Sequence, residues 1–252
     1  MFRGIEKKGF YTMERIWFSD KEKSKADVVR YNRIEKPIKG FFVHNASAET
    51  VYNDLTKSKE EILAASTKTV KYEVNKCEKE DITIYFYTAA DLRENKKMVD
   101  EFETAYLNFA KELELKEVIK AYQRTKLDNF IDCDCILLSK AEKEGVSVYH
   151  VYSCGGQECC LNYSVSNFRI DPSKRNLAGR MNKLLHIRDM DWFRAHGYTL
   201  YDWGNISSSE TPNGIDKFKM SFGGDVVTVY HSFVGNTLLG KLLVTLYKIS
   251  HK

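Results

Sequence analysis

Apolar residues in the first 45 positions fall into short runs, Tyr11 to Phe18, Val28 to Ile34 and Phe41 to Val43. They are divided by the charged turn Ser19 to Lys25 and by Pro37 to Gly40, which predicts a small antiparallel layer. From Ala48 the pattern turns helical, and residues 57–79 are rich in lysine and glutamate. Ile82 to Thr88 predicts a buried strand. Glu94 to Glu112 then sets Met98, Phe102, Ala105, Tyr106 and Phe109 along one helical face, with a short helix at Lys116 to Lys126. Three strand patterns follow, Cys135 to Ala141, Val146 to Ser153 and Glu158 to Val165, whose short connections predict antiparallel neighbours. Leu184, Leu185, Ile187, Met190 and Phe193 predict a long helix, Gly197 its left-handed cap, and Tyr198 to Trp203 a strand. A polar loop, a helical turn ending in Gly223-Gly224, a last strand Val226 to Phe233 and a leucine-rich helix Asn236 to Lys252 complete the pattern. The predicted core order, β-α-α-β-β-β-α-β-α-β, belongs to an α/β fold with a mixed sheet.

Composition narrows the class without naming a function. The 252 residues are 43% apolar and 13% aromatic, enough for a sizeable core and incompatible with wholesale disorder. A net charge of +4 from 39 basic and 35 acidic residues does not by itself imply nucleic acid. Six cysteines show no zinc-type spacing across a loop, and five lie in or beside strand-like runs, so they read as reduced, small apolar residues. No metal is expected. The N-terminus lacks a signal-peptide pattern, so the expected compartment is the cytoplasm, at most the inner face of its membrane.

Three runs carry a resemblance. They are Asn182 to His186 with Asp189 and Met190, the G-Y-x-x-Y-D-W-G run Gly197 to Gly204, and G-I-D-K-F-K-x-x-F-G-G from Gly214 to Gly224. A weaker match is the basic stretch Lys68 to Asp81. These resemble the Fem family of peptidoglycan interpeptide-bridge aminoacyltransferases and the wider FemAB-like acyltransferases of the GNAT, or acyl-CoA N-acyltransferase, superfamily. The likeness covers residues 58 to 235. It implies an N-terminal β/α extension (1–80), a GNAT-like acyltransferase core (81–235) and a C-terminal amphipathic helix (236–252).

The resemblance also implies where chemistry would sit. A GNAT enzyme lays its donor's pantetheine against the strand before the long helix and its pyrophosphate on that helix's N-terminal N–H groups, which lack intrahelical partners. The strand residues here include Ser164 and Ser166, and the helix start is expected near Lys174, Arg175, Ala178, Gly179 and Arg180. The superfamily's R/Q-x-x-G-x-G/A signature is not intact, which leaves coenzyme A open as donor. Asp202 is the expected base or amine-orienting group, or else the partner of Lys219. The family implies that Phe218 and Lys219 stabilise the tetrahedral intermediate. His186 is a further catalytic candidate. Lys68, Lys71, Tyr72, Asp189, Tyr201 and Trp203 are expected to meet the substrate, Lys68 and Lys71 as part of a basic face suited to an anionic carrier. Strand alternation separates Asp202 from Tyr201 and Trp203.

Three readings remain open. One is an N-acyltransferase moving an acyl group from acyl-CoA, acetyl-CoA first among them, to an amino-sugar or lipid-linked glycan precursor. The second is a Fem-like transferase using aminoacyl-tRNA, which lacks a full first domain. The third is a catalytically silent GNAT-like binding protein. The final helix either docks on the sheet or lies on a membrane surface. The oligomeric state is open.

Overall fold

The computed structural model describes residues 2–122, 124–167 and 171–250. In chain order these are β1 (Phe2–Lys8), β2 (Tyr11–Trp17), β3 (Val28–Ile34), β4 (Val43–Asp54), α1 (Lys59–Ala65) and α2 (Lys68–Cys77). Next come β5 (Thr83–Thr88), α3 (Ala89–Glu94), α4 (Lys96–Glu112), α5 (Lys116–Ala121), α6 (Arg124–Asp132), β6 (Ile136–Lys143), β7 (Val146–Gly155) and β8 (Glu158–Ser166). The chain continues through α7 (Arg175–Ala195), β9 (Leu200–Ile206), α8 (Gly214–Met220), β10 (Asp225–Gly235) and α9 (Leu238–Ser250).

The ten strands among the described residues form one mixed sheet, ordered β1-β2-β3-β10-β4-β9-β8-β7-β6-β5. Neighbours are antiparallel except β2 with β3 and β8 with β9. The sheet runs without a break across the expected division between extension and core, because β10 lies between β3 and β4. β1 was not expected, since its sequence FRGIEKK alternates weakly. The helical expectation from Ala48 is corrected: Val43–Asp54 is a strand, and the first helix waits for Ser58, which caps it in a reciprocal box with Glu61. Polar side chains at Asn45, Ser47 and Glu49 had masked a strand that is only half covered.

On one face of the sheet α1, α2 and α7 bury the largest core, with Val70, Leu185, Phe193, Tyr201, Trp203 and Phe222 at its centre. The other face carries α3, α4 and α6 over Phe102, Phe130 and Val151. At the far end of this second face α9 packs on β10, β3 and β4. Between α6 and α9 lies the part of the sheet that positions the site.

Candidate active site at the fork of two parallel strands

Among the described residues β8 and β9 pair over three positions, Glu158 with Leu200, Cys159 with Tyr201 and Cys160 with Asp202. Beyond that, β8 stays with β7 as far as Ser166 while β9 stays with β4 as far as Ile206, so the two part company. The fork is tight at its base. Gly204 has φ +73°, and a Cβ there would stand 2.8 Å from the Leu161 carbonyl oxygen, so both the backbone conformation and the space require glycine.

One wall of the fork is α8. Asn213 caps it, and Ser207 N–H donates to Asp216 at 3.0 Å, so the polar loop is strapped to the helix's first turn. The Gly223-Gly224 pair lets the chain leave α8 against α1 and β4, where Cβ atoms would meet the Ala65 and Tyr52 carbonyl oxygens at 2.5 and 2.6 Å. This fixes Phe218 and Lys219. Lys219 Nζ donates to the Asn205 carbonyl at 2.7 Å and lies 3.8 Å from where a Gly204 side chain would begin. Burial holds its pKa below the ordinary lysine value. Lys219 Nζ is therefore held at the fork by a carbonyl, with no carboxylate bonded to it among the described residues.

The expected pairing of Asp202 with Lys219 is corrected. Asp202 is fully buried and pairs with the Arg33 guanidinium, whose Nη2 lies 2.5 Å from Oδ1 and whose Nε meets Oδ2. Oδ1 also accepts from the Thr50 hydroxyl at 2.6 Å and from Gly204 N–H at 2.8 Å. A carboxylate so occupied is a fixed structural anion and not a free base. Arg33 reaches it because its φ of +58° breaks the strand's alternation, a signal that no spacing in the sequence carries. Arg33 also donates to the Asn205 side chain at 2.7 Å, which links this pair to the carbonyl that holds Lys219.

Tyr201 and Trp203 point to the opposite face, beneath α7, into a buried polar chain. His150 meets Asn182 at 2.7 Å and Asp189 at 2.6 Å. Tyr152 donates to the same Asp189 oxygen at 2.5 Å and meets Tyr201 at 2.8 Å, and Tyr201 meets His186 Nδ1 at 2.7 Å. A carboxylate only accepts, so Tyr152 gives its proton to Asp189, Tyr201 gives its own to Tyr152, and His186 donates Nδ1–H to Tyr201. That leaves His186 Nε2 a bare, buried acceptor among Trp203, Phe218 and Phe222. Burial, with His150, Lys219 and Lys183 nearby, pushes its pKa well below the usual value and keeps it neutral. The outer end reaches the mouth of the fork, where exposed Ser164 donates to Asn182 at 3.2 Å. His150, Tyr152 and Asn182 were missed as site residues because they are scattered over β7 and α7 and look like core positions.

His150, His186 and Asp189 place ligand atoms within 4.8 Å of one another. Their arrangement suits hydrogen bonds better than a metal. The imidazoles stack with centroids 3.9 Å apart, so their lone pairs run side by side rather than converging, and His150 is engaged at both nitrogens.

The expected donor residues are placed less openly. α7 begins at Arg175, before Ala178-Gly179, with Lys174 at its N-cap and no side chain capping it. Lys174 donates to the Glu144 carbonyl and Arg180 pairs with Glu80 at 2.9 Å. Ala178 is buried, Gly179 borders open space, and Ser166 lies in a cleft with Tyr149 and α4. α2 flanks the site. Glu73 pairs with Lys183 at 2.6 Å, and that lysine's Nζ lies 5.5 Å over the Phe218 ring. Lys68 and Tyr72 are exposed, and Lys71 donates to the Ala64 carbonyl at the end of α1.

On the second face, Arg30 and Lys126 have no acidic partner among the described residues. Arg30 lies 4.9 Å over Phe233 and Lys126 5.6 Å over Phe130. Burial lowers the pKa of both, and neighbouring Arg15 adds to the effect. Beside Lys126 a cleft of 340 Å³ opens between β1, β2 and α6, lined by Glu6, Lys8, Arg15, Trp17, Lys126 and Phe130, with Arg15 paired to Glu6.

FemX matches this structure with a TM-score of 0.62 over 95% of this chain and 85% of FemX, at 12% identity. The fold is therefore that of FemX. The C-terminal (DUF2156) domain of a putative lysylphosphatidylglycerol synthetase from Agrobacterium fabrum matches with a TM-score of 0.52, over 88% of this chain and 72% of that one, also at 12% identity. No protein-family model and no curated protein matches the sequence.

Proposed function

We propose that this protein is an acyltransferase that moves an activated acyl or aminoacyl group to an amine on an anionic acceptor such as a glycan precursor. The observation that carries the reading is the fork itself, two parallel strands parting at Gly204 with Lys219 Nζ held in the gap by a carbonyl. A donor laid in the fork would present its carbonyl carbon to the amine. Attack forms the C–N bond and a tetrahedral oxyanion; collapse breaks the bond to the leaving sulfur or oxygen, and the amine's proton leaves to solvent or to the departing group. Lys219, partly desolvated and without a bonded carboxylate among the described residues, is suited to stabilising that oxyanion in its protonated form. Arg30 and Lys126 support an acceptor carrying phosphate.

The donor has two candidate classes. Acyl-CoA, with acetyl-CoA the simplest, fits the uncapped start of α7. Aminoacyl-tRNA is favoured by a different observation, since Arg180 and Lys174, which would hold a pyrophosphate, are engaged by Glu80 and the Glu144 carbonyl. The names of the two matched structures point the same way, and we rank the aminoacyl donor first. Equilibrium binding of acetyl-CoA and of charged tRNA to the full chain tests this ranking. Tight acetyl-CoA binding with none of charged tRNA reverses it, and binding of neither removes the transferase reading.

A further inference from the structure

α9 is apolar on two sides. Its inner side docks on the sheet: Val244 is buried, Gly240 packs so closely that a Cβ would meet the Asp27 carbonyl oxygen at 1.7 Å, and Thr237 donates to Asp27 at 2.7 Å. The helix is therefore seated, and its outer side is a surface of the folded protein. That outer side carries Leu238, Leu242, Leu246 and Ile249, exposed by 85%, 56%, 54% and 67%. At 100° per residue these four fall within an arc of about 80°. Phe41, 80% exposed, extends the patch, since Lys248 donates to its carbonyl at 3.0 Å. An apolar groove of 600 Å³ runs alongside, between Tyr11, Met13 and Val28 of the sheet and Leu246 and Ile249 of the helix.

We propose that this face is a lipid-binding surface that seats the protein on an anionic bilayer. A row of large apolar side chains exposed along one helix is costly in water and stabilising at the boundary of headgroup and acyl chain. Charge selects the occupant. From Leu238 to Ser250 there is no acidic residue, and Lys241 and Lys248 lie on one flank of the stripe. A second copy of the same helix brings no counter-charge to those lysines, whereas anionic headgroups do. The helix has 13 residues, about 20 Å of rise, and no helix among the described residues is long and apolar enough to cross a membrane. It would lie in the interface plane, its axis along the sheet.

The test is sedimentation of the full chain with vesicles of phosphatidylcholine, alone and mixed with phosphatidylglycerol. The wild type is expected to pellet with the mixed vesicles and far less with the neutral ones. Leu242→Ser with Leu246→Ser, both at exposed positions, should lower the bound fraction about tenfold with the melting temperature unchanged. Lys241→Gln with Lys248→Gln should lower it severalfold, mimicking added salt. Failure of the wild type to bind mixed vesicles overturns the proposal. So does a dimer in analytical ultracentrifugation that the leucine substitutions dissociate while vesicle binding is absent; the stripe is then a protein interface.

Discussion

Tyr201 and Asp202 are neighbours in one strand, yet each belongs to a buried polar cluster that solves desolvation differently. Beneath α7, Tyr201 joins a hydrogen-bonded chain of His186, Tyr152, His150 and Asn182 around a single carboxylate, Asp189. On the other face Asp202 is held by a guanidinium, a hydroxyl and a backbone N–H. The first cluster spreads its contacts over several hydroxyl and imidazole groups that end on one accepting carboxylate. The second is fixed, since an ion pair buried this deeply is stable only while both charges stay. The fork lies between them, and Asn205 connects the fixed cluster to Lys219.

Removing one charge from the fixed cluster should have the largest effect. Arg33→Met leaves Asp202 buried and unpaired and should cost about 3–5 kcal/mol in urea unfolding, with Arg33→Met plus Asp202→Leu recovering much of the loss. If the single variant unfolds like the wild type, the pair is not buried as described. Next is Lys219→Met, expected to slow single-turnover transfer about a hundredfold while leaving the melting temperature within a degree or two. A large loss of stability without a specific loss of rate would place Lys219 in the fixed cluster instead. Tyr201→Phe breaks two links of the chain beneath α7 and should cost about 1–3 kcal/mol, less than Arg33→Met, because the hydroxyl of Tyr152 and the ring of His186 rather than a bare charge lose a partner.

The smallest effect separates the clusters by pH. His186 is held neutral by burial, so folding disfavours its proton; the unfolded chain takes that proton up near the ordinary histidine value of 6.5. Its contribution is complete above that pH and is lost progressively as pH falls. His231, pushed down to about 4 by burial and then by Arg33 and Arg30, acts in the same direction. Glu158, beside Asp202 on the second face, is pushed up to about 7 by burial, so its protonated form is favoured by folding. Its contribution is present below the unfolded value of 4.5 and lost as pH rises through 7. Glu158→Gln should therefore steepen the fall of stability between pH 7 and 4.5, and His186→Gln should flatten it. Parallel curves for all three proteins would refute this assignment.

The second half of the fold was legible because β6, β7 and most of β9 are buried on both faces and the long helices carry apolar stripes. The helix α7, the strand after it and the α8 turn followed from Gly197, Gly214 and the G-G pair, but the parallel pairing of β8 with β9 did not. The first half was harder, since β1 and β4 alternate polar residues on a half-open face, and β4 read as a helix. Local signals placed Tyr201 and Asp202 on opposite faces. Their partners were hidden by distance: Arg33 lies 169 residues from Asp202, and His150 lies 39 from Asp189. Spacing within one element cannot report a contact made through the sheet.

The central place of β10 has a consequence for how the molecule comes to be made. β3 and β4 are consecutive in the chain but are not neighbours, because the strand that fills the gap is synthesised last; Asn32 meets His231 across 199 positions. At about 5–20 residues per second, the first three strands wait roughly 10–40 s on the ribosome with an unpaired edge. Insertion of the late strand is then the step that closes the molecule, and such long-range pairing makes for slow folding.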